Sequence, residues 1–536
     1  MDTRRLTTLT SAIALSSVLA LAGQAPASKP GAVAAAPAAV AIAPPKAYDD
    51  IVSFAAAAAA AAPERVKYGS LGTLAGKDVP FIVVGNGIAD ATPAAVKAPD
   101  RLRVWVQAAS REGTDAALML LKDLAAGRNE LWLSTVVLLV SPMELDPGRR
   151  RSPGDYVFLE TPDAAMYAKA ITEYDPHVAI EIRTEDGPCS AYAVTFSPPL
   201  HPNTSEHILG TLREEYIPFL VRGLKSRWSM DAFYRGTVVG GDDGCAPKPA
   251  EKVAATAGGR RGAPAPAARG RATGRGAAAP SSTPAPAADA QEPAWQASGY
   301  QLGIASNYVG VRNRFSLVGV VHARDGAEDR AAAASHFLEE AVAFAWGANA
   351  RLKKATASAD AGVLVGRRLP TGVQLSSLGQ VEVLMSDAAS AAAAAGGPVK
   401  RTSASRIVSM RDQLGFEAAS DEVVAAEYFV PASQTAVVEL LKKHGIQLRQ
   451  LTQATKGAEE FVVTPAPAGS APAASRIAGS WRPSAAEVPA GTWAVRMNQP
   501  LSRLAFALLE PTSEDSIAAL PGVTDGKTYP ILRRGR

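Results

Sequence analysis

The sequence predicts an α/β domain with a mixed, largely parallel central sheet flanked by helices, followed by a C-terminal β-rich region. Three observations carry this expectation. Between Arg103 and Trp346 strand-like and helix-like stretches alternate, the pattern that places helices on the faces of a parallel or mixed sheet. Trp132 to Val140 is a continuous run dominated by Leu and β-branched residues, suited to a strand buried on both faces. From about Leu352 the pattern changes to short strands with one clear helix, near Gln434 to His444. At 536 residues the chain exceeds what one hydrophobic core ordinarily supports, so two folded regions and some unstructured segments are expected.

Taken in order, the chain begins with Arg4 and Arg5 before a mostly apolar run from Leu6 to Leu21, too short to span a bilayer. Small residues suit cleavage after Ala22 or Ala27, so residues 1–27 read as a signal peptide and the rest as a periplasmic or secreted chain without a transmembrane segment. Residues 28–64, rich in Ala and Pro and including the run Ala55 to Ala62, read as unstructured. The domain is expected over residues 65–352. Within it Arg103 to Ala109 reads as a strand, and Thr114 to Ala126 as a helix with Thr114 as N-cap, Leu118, Leu121 and Leu124 on one face, and Gly127 as its stop. A helix from Thr161 to Tyr174, strands His177 to Ile182 and Ala191 to Phe196, and a helix near Ser205 to Leu224 follow. Residues 246–293 carry almost no large apolar side chain and cannot offset their ordering entropy, so they read as a disordered insertion. The strand Phe315 to Val321 and the helix Ala327 to Trp346 complete the domain, and residues 353–536 form the β-rich extension.

The net charge is too small to imply a polyanion partner. The formal net charge is +4, and the insertion's Arg260, Arg261, Arg269, Arg271 and Arg275 lack interleaved aromatics, so a solvated linker is expected and no nucleic acid. Cys189 and Cys245 are the two cysteines. In an oxidising compartment they either pair, closing a loop for roughly 4 kcal/mol, or remain two thiols; spacing decides neither. No C-x-x-C, G-x-S-x-G or phosphate-loop motif occurs.

Six segments carry a resemblance: Asp155 to Asp163, Tyr174 to Gly187, Ser197 to Thr204, Asn307 to Arg314, Pro489 to Leu501, and Ala507 to Ser516. Together they resemble the bacterial secreted branch of the M14 zinc carboxypeptidases. The resemblance implies a zinc-carboxypeptidase-like fold with zinc held by H-x-x-E and a further histidine, and a glutamate base. Such a site needs three protein ligands and an open position for water. The first two ligands would fall at Ser110, Arg111 and Glu112, where no histidine occurs. The third falls at Arg183, a cation without a lone pair to donate, and the base at Val320. The asparagine–arginine pair that holds a substrate carboxylate in relatives falls near Pro153 and Gly154. Tyr308, Arg312, Asn313 and Arg314 still match the family stretch and read either as a hold for an anionic peptide end or as partners of internal carboxylates.

The six histidines offer no replacement set. His336-Phe-Leu-Glu339 matches H-x-x-E but lies inside the helix after the base position and reads as a surface pair. His177 reads as a strand end, His201 and His207 flank a loop and helix start, His444 ends a helix, and His322 ends the strand that carries Val320. Glu181, Glu185 and Asp186 fit a carboxylate pair for glycoside hydrolysis less well than partners of basic neighbours. Arg183 is expected to fill the place of the metal, bound to Glu112 and to Glu181 or Asp186. The expectation is a pseudopeptidase with no cofactor that binds peptides or an envelope component; the alternative is an active zinc carboxypeptidase with relocated ligands.

Overall fold

Period-two alternation builds the central sheet, because successive strand residues point to opposite faces. The computed structural model describes residues 48–143, 155–185, 190–240, 292–323, 325–386, 405–464, 477–524 and 528–535. The signal-peptide reading, most of the 246–293 insertion, Cys189, Cys245, Asp186, Pro153 and Gly154 lie outside the described residues.

The chain opens with helix α1 (Tyr48–Ala61), hairpin strands β1 (Val66–Leu74) and β2 (Lys77–Val84), and helix α2 (Pro93–Lys97). Strand β3 (Leu102–Ala108), helix α3 (Arg111–Ala125), strand β4 (Val136–Ser141), and helices α4 (Asp155–Phe158) and α5 (Pro162–Tyr174) follow. Next come β5 (Val178–Glu185), β6 (Val194–Ser197), α6 (Glu206–Thr211), a π-helical turn (Leu212–Tyr216), α7 (Ile217–Trp228), β7 (Ala232–Tyr234), β8 (Thr237–Val239) and β9 (Ala294–Gln296). Helix α8 (Ala305–Val311), strand β10 (Phe315–His322), and helices α9 (Ala327–Gly347) and α10 (Asn349–Asp360) complete this part. The eight-stranded sheet has the order β1-β2-β4-β3-β5-β10-β6-β7. Strands β4, β3, β5 and β10 run parallel, while β2 and β6 join them antiparallel.

Two cores cover its faces. Ile82, Val84, Val104, Val106, Leu138, Val178, Ile180 and Ile182 face the layer of α1, α3, α7 and α9. Phe81, Val83, Trp105, Val137, Leu139 and Ala179 face α5 and α8, and that core continues into the C-terminal region through Tyr428, Phe461, Val495 and Leu504. Trp105 and Phe81 stack at 5.3 Å on this second face. Truncating a buried aromatic of this size costs about 3–5 kcal/mol.

The C-terminal part contains strands β11 (Arg368–Leu375) to β20 (Leu532–Arg534), helix α11 (Thr435–Lys443) and helix α12 (Ser502–Leu509). Its six-stranded sheet packs its inner residues into the same core as β3 and β5, so the extension is built onto the sheet and does not form a separate body. No helix among the described residues is long and apolar enough to cross a membrane.

Three expectations change. The alanine run expected to be unstructured is helix α1, with Ile51, Ala55 and Ala58 buried; alanine has the strongest intrinsic helix propensity, and its small side chain lets the helix lie close to α3. Helix α3 starts at Arg111 and not at Thr114, because Ser110 is the cap: its Oγ accepts from the Gly113 amide at 3.1 Å. The run from Trp132 divides into a 3₁₀ turn (Glu130–Ser134) and β4.

Candidate functional site

Of the positions singled out by the resemblance, Ser110, Arg111, Glu112, Arg183 and Val320 gather towards the C-terminal ends of β3, β5 and β10. Ala108 lies opposite Ile182, and Val320 lies opposite Arg183 in parallel register. The Ala109 amide donates to the Ile182 carbonyl at 2.9 Å, which ties the entry of α3 to β5. Gly113 permits that approach, since a Cβ there would stand 2.7 Å from the Ile182 carbonyl oxygen.

Strand parity then divides the site. Thr184 shares the face of Ile180 and Ile182, and its hydroxyl donates to the Glu112 carboxylate from beneath α3. The other Glu112 oxygen accepts from Arg330 Nε at 2.7 Å, and Arg330 also donates to the Ala323 and Asp325 carbonyls at 3.0 and 2.6 Å. Burial alone would raise the Glu112 pKa, but the Thr184 and Arg330 hydrogen bonds hold it below its ordinary value. Arg183 projects from the opposite face. Its Nε donates to Glu181, two residues back on the same strand, and its Nη1 lies 3.9 Å from Glu185. Arg235 also binds Glu185 and reaches the Ser298 hydroxyl, so two guanidiniums and two carboxylates alternate in one network. Burial works against the Arg183 charge, but the adjacent Glu181 outweighs it and raises the pKa. Glu181 is 6% exposed and Val320 is 2% exposed.

These positions therefore give Arg183 carboxylate partners, as expected, but Glu112 is not among them. Side chains at 181, 183 and 185 share one face, whereas Glu112 meets position 184 on the other. Ser110 is spent on capping α3, and Arg111 lies on its first turn at 4.0 Å from Asp115.

This donor set does not fit zinc. Arg183 has no lone pair, Val320 has no titratable group, and both Glu112 oxygens already accept hydrogen bonds. Among the described residues no three His, Cys, Asp or Glu side chains are grouped to hold a metal ion. The histidines are dispersed. His322 lies opposite Glu185 on the Arg183 side of the sheet, and His207 is exposed on α6. His177 Nδ1 accepts from the Arg103 amide at 3.0 Å. His201 Nδ1 accepts from the Asn203 amide, so its Nε2–H donates to Asp515 at 3.2 Å. His336 does not form a surface pair with Glu339; it stacks on Trp228 with ring centroids 3.6 Å apart, and burial lowers its pKa to about 4.

The reading of Tyr308, Arg312, Asn313 and Arg314 as a hold for a peptide end is corrected by their position. They lie before β10, Arg314 about 20 Å along the chain from Val320 at roughly 3.3 Å per residue, and none is more than 9% exposed. His444 Nε2–H donates to the Val157 carbonyl at 2.9 Å, leaving Nδ1 to accept from the Tyr308 hydroxyl at 2.9 Å. Arg312 donates to Tyr308, to the His444 carbonyl and to Thr172. Asn313, at φ 61°, donates to the Ala359 and Pro500 carbonyls and to Asp360. Arg314 bridges Asp175 and Asp360 at 2.8 and 2.9 Å. This second option, pairing with internal groups, is what burial selects: these groups bind the α/β sheet to the C-terminal region.

Sequence reasoning missed Thr184, Arg235 and Arg330, whose partners stand 72, 50 and 218 residues away. It also missed a cavity of about 360 Å³ between the loop after β6 and the turn joining β13 (Ser405–Gln413) to β14 (Phe416–Val423). Pro198, Pro199, Leu212, Leu414 and Phe416 give it apolar walls, and Arg213 and Asp412 also line it. No local signal marks it, because its walls come from distant segments.

No family model matches the sequence. No curated protein matches it. Among solved structures it is similar to carboxypeptidase A of Helicoverpa armigera, at 9% identity and TM-score 0.33, over 57% of this chain and 74% of that chain. It is similar to a metallopeptidase-like protein of Shewanella amazonensis at 11% identity and TM-score 0.29, over 55% of this chain and 91% of that one. It is also similar to bovine thrombin-activatable fibrinolysis inhibitor, solved with a tick carboxypeptidase inhibitor, at 8% identity and TM-score 0.25, over 35% and 75%. Identities of 8–11% leave the functional reading to rest on the side chains described above.

Proposed function

We propose that the chain is an exported, non-catalytic relative of the M14 zinc carboxypeptidases that acts by binding a peptide at the cell envelope. One observation carries the non-catalytic reading: Arg183, at the third-ligand position, is held by Glu181 and Glu185, and Val320, at the base position, stands beside it. A guanidinium is a fixed cation with five donors, so it satisfies the carboxylates that a divalent ion would otherwise neutralise. Peptide binding is supported by the 360 Å³ cavity, a volume within the range of ligand sites, with apolar walls and few polar groups. Export is supported by Arg4, Arg5 and the run from Leu6 to Leu21.

Elemental analysis of the purified chain, with peptidase assays before and after chelation, tests the reading. The expected result is zinc well below one per chain and no release of C-terminal residues. About one tightly held zinc per chain with chelator-sensitive hydrolysis would overturn it in favour of relocated ligands.

A further inference from the structure

At the opposite end of the sheet from Arg183, a depression of about 650 Å³ opens among the loop after β2, the 3₁₀ turn before β4 and the end of α9. Its walls include two indoles, Trp132 and Trp346, together with Asn86, Asn129, Glu130 and Leu131. Three features separate it from ordinary surface. Trp132 is 7% exposed and belongs to the core beneath α3 and α9, whereas Trp346 is half-buried at its edge, and among the described residues neither indole N–H has a protein acceptor. The carboxamides of Asn86 and Asn129 and the carboxylate of Glu130 likewise make no hydrogen bond among the described residues. Leu131 is 74% exposed beside them, an apolar side chain held in water at the rim.

The site thus offers the half-buried ring of Trp346, two carboxamides that both donate and accept, one acceptor-only carboxylate and an apolar rim. A pyranose ring matches this set: its C–H face is apolar and lies on an indole, and its rim of hydroxyls donates and accepts. Glu130 disfavours an anionic ligand, and the volume lies within the range of small-molecule sites. We propose that this depression is a binding site for a neutral oligosaccharide. It shares no residue with the Arg183 network or with the 360 Å³ cavity, so it stands independently of the peptide-binding reading.

The test titrates the full chain with maltohexaose, cellohexaose, mannohexaose and chitohexaose by calorimetry, following tryptophan fluorescence in parallel. The expected result is saturable binding of at least one of them, tighter than about 1 mM. Trp346→Ala is expected to weaken it about tenfold or more, and Trp346→Phe to retain part of it. Asn129→Gly, which keeps the left-handed backbone of that position (φ 55°) and removes the carboxamide, is the second variant and is expected to weaken binding. Absence of saturable binding to all four, or binding undiminished in both Trp346→Ala and Asn129→Gly, would overturn the proposal. So would self-association that Trp346→Ala abolishes while no oligosaccharide competes with it.

Discussion

Arg183 decides the chemistry of the site through what it cannot do, and its energetic role follows from the same charge. Removing it leaves Glu181, 6% exposed, without its cation. Losing one partner of a buried pair costs about 3–5 kcal/mol, and the 23% exposure of the Arg183 side chain reduces this. Arg183→Ala is expected to destabilise the chain by roughly 2–3 kcal/mol in urea unfolding, with Glu181→Gln in the same chain recovering part of the loss. Arg183→His is expected to create neither zinc binding nor hydrolysis, as read by elemental analysis, because one imidazole lacks its co-ligands. Three histidines and one glutamate among the described residues carry large shifts that enter the pH response. Burial lowers the pKa of His177 and His444 to about 3 and of His336 to about 4, so each is neutral in the fold. Their contribution is complete above the unfolded value of 6.5 and is lost as pH falls through it towards 3. Glu510 acts in the opposite sense: burial raises its pKa from 4.5 to about 7, so its contribution is complete below 4.5 and lost as pH rises through 7. The two effects oppose one another between 4.5 and about 6.5, and below 4.5 the histidines act without that counterweight. The melting temperature is therefore expected to fall most steeply just below pH 4.5, and Glu510→Gln is expected to steepen the profile between pH 4.5 and 6.5 and to remove the decline between 6.5 and 7.

At the scale of elements, close approach explains what composition alone does not. Helix α9 lies against β10 because Gly319 has no side chain; a Cβ there would stand 2.4 Å from the Phe337 ring. Gly319→Ala is expected to cost about 1–3 kcal/mol by overpacking, measured by urea unfolding, and Phe337→Leu in the same chain is expected to relieve part of it. Elements whose signal is local were legible in the sequence. Thr161 caps α5 by accepting from the Ala164 amide at 3.4 Å, and helix α9 begins at Ala327 as its pattern indicates. Strand β5 was legible as a strand, but the face of each carboxylate mattered more than its distance in sequence. Arg183 takes Glu181 and Glu185 because a period of two places all three together, and that same period sends Glu112 to Thr184. The Arg330, Arg235 and Asp515 contacts had no local signature, since each joins segments far apart in the chain.

At the scale of the whole molecule, the boundary expected near residue 352 is not a line along which the chain can be divided. Arg312 donates to the His444 carbonyl, Asn313 to the Pro500 carbonyl, and His201 to Asp515, while Tyr428 and Val495 share a core with Trp105. A chain ending at residue 352 would leave Arg312 and Asn313 without these acceptors and expose the face of the sheet that carries Phe81 and Trp105. It is expected to show no cooperative thermal transition by circular dichroism, and a sharp transition from that fragment would contradict the shared core.

The hydrogen bond between His201 and Asp515 also fixes an order of events. Its partners are 314 residues apart, so it forms only once the segment that carries Asp515 has been made. Strand β15 (Glu427–Val430) likewise pairs with β20 next to the C-terminus. Contacts of such separation close slowly, since the entropy of a long loop is lost before its contacts reward it. During that interval the apolar face around Trp105 lacks the cover that Tyr428, Val495 and Leu504 give it, and folding of this chain competes with aggregation until β20 is in place.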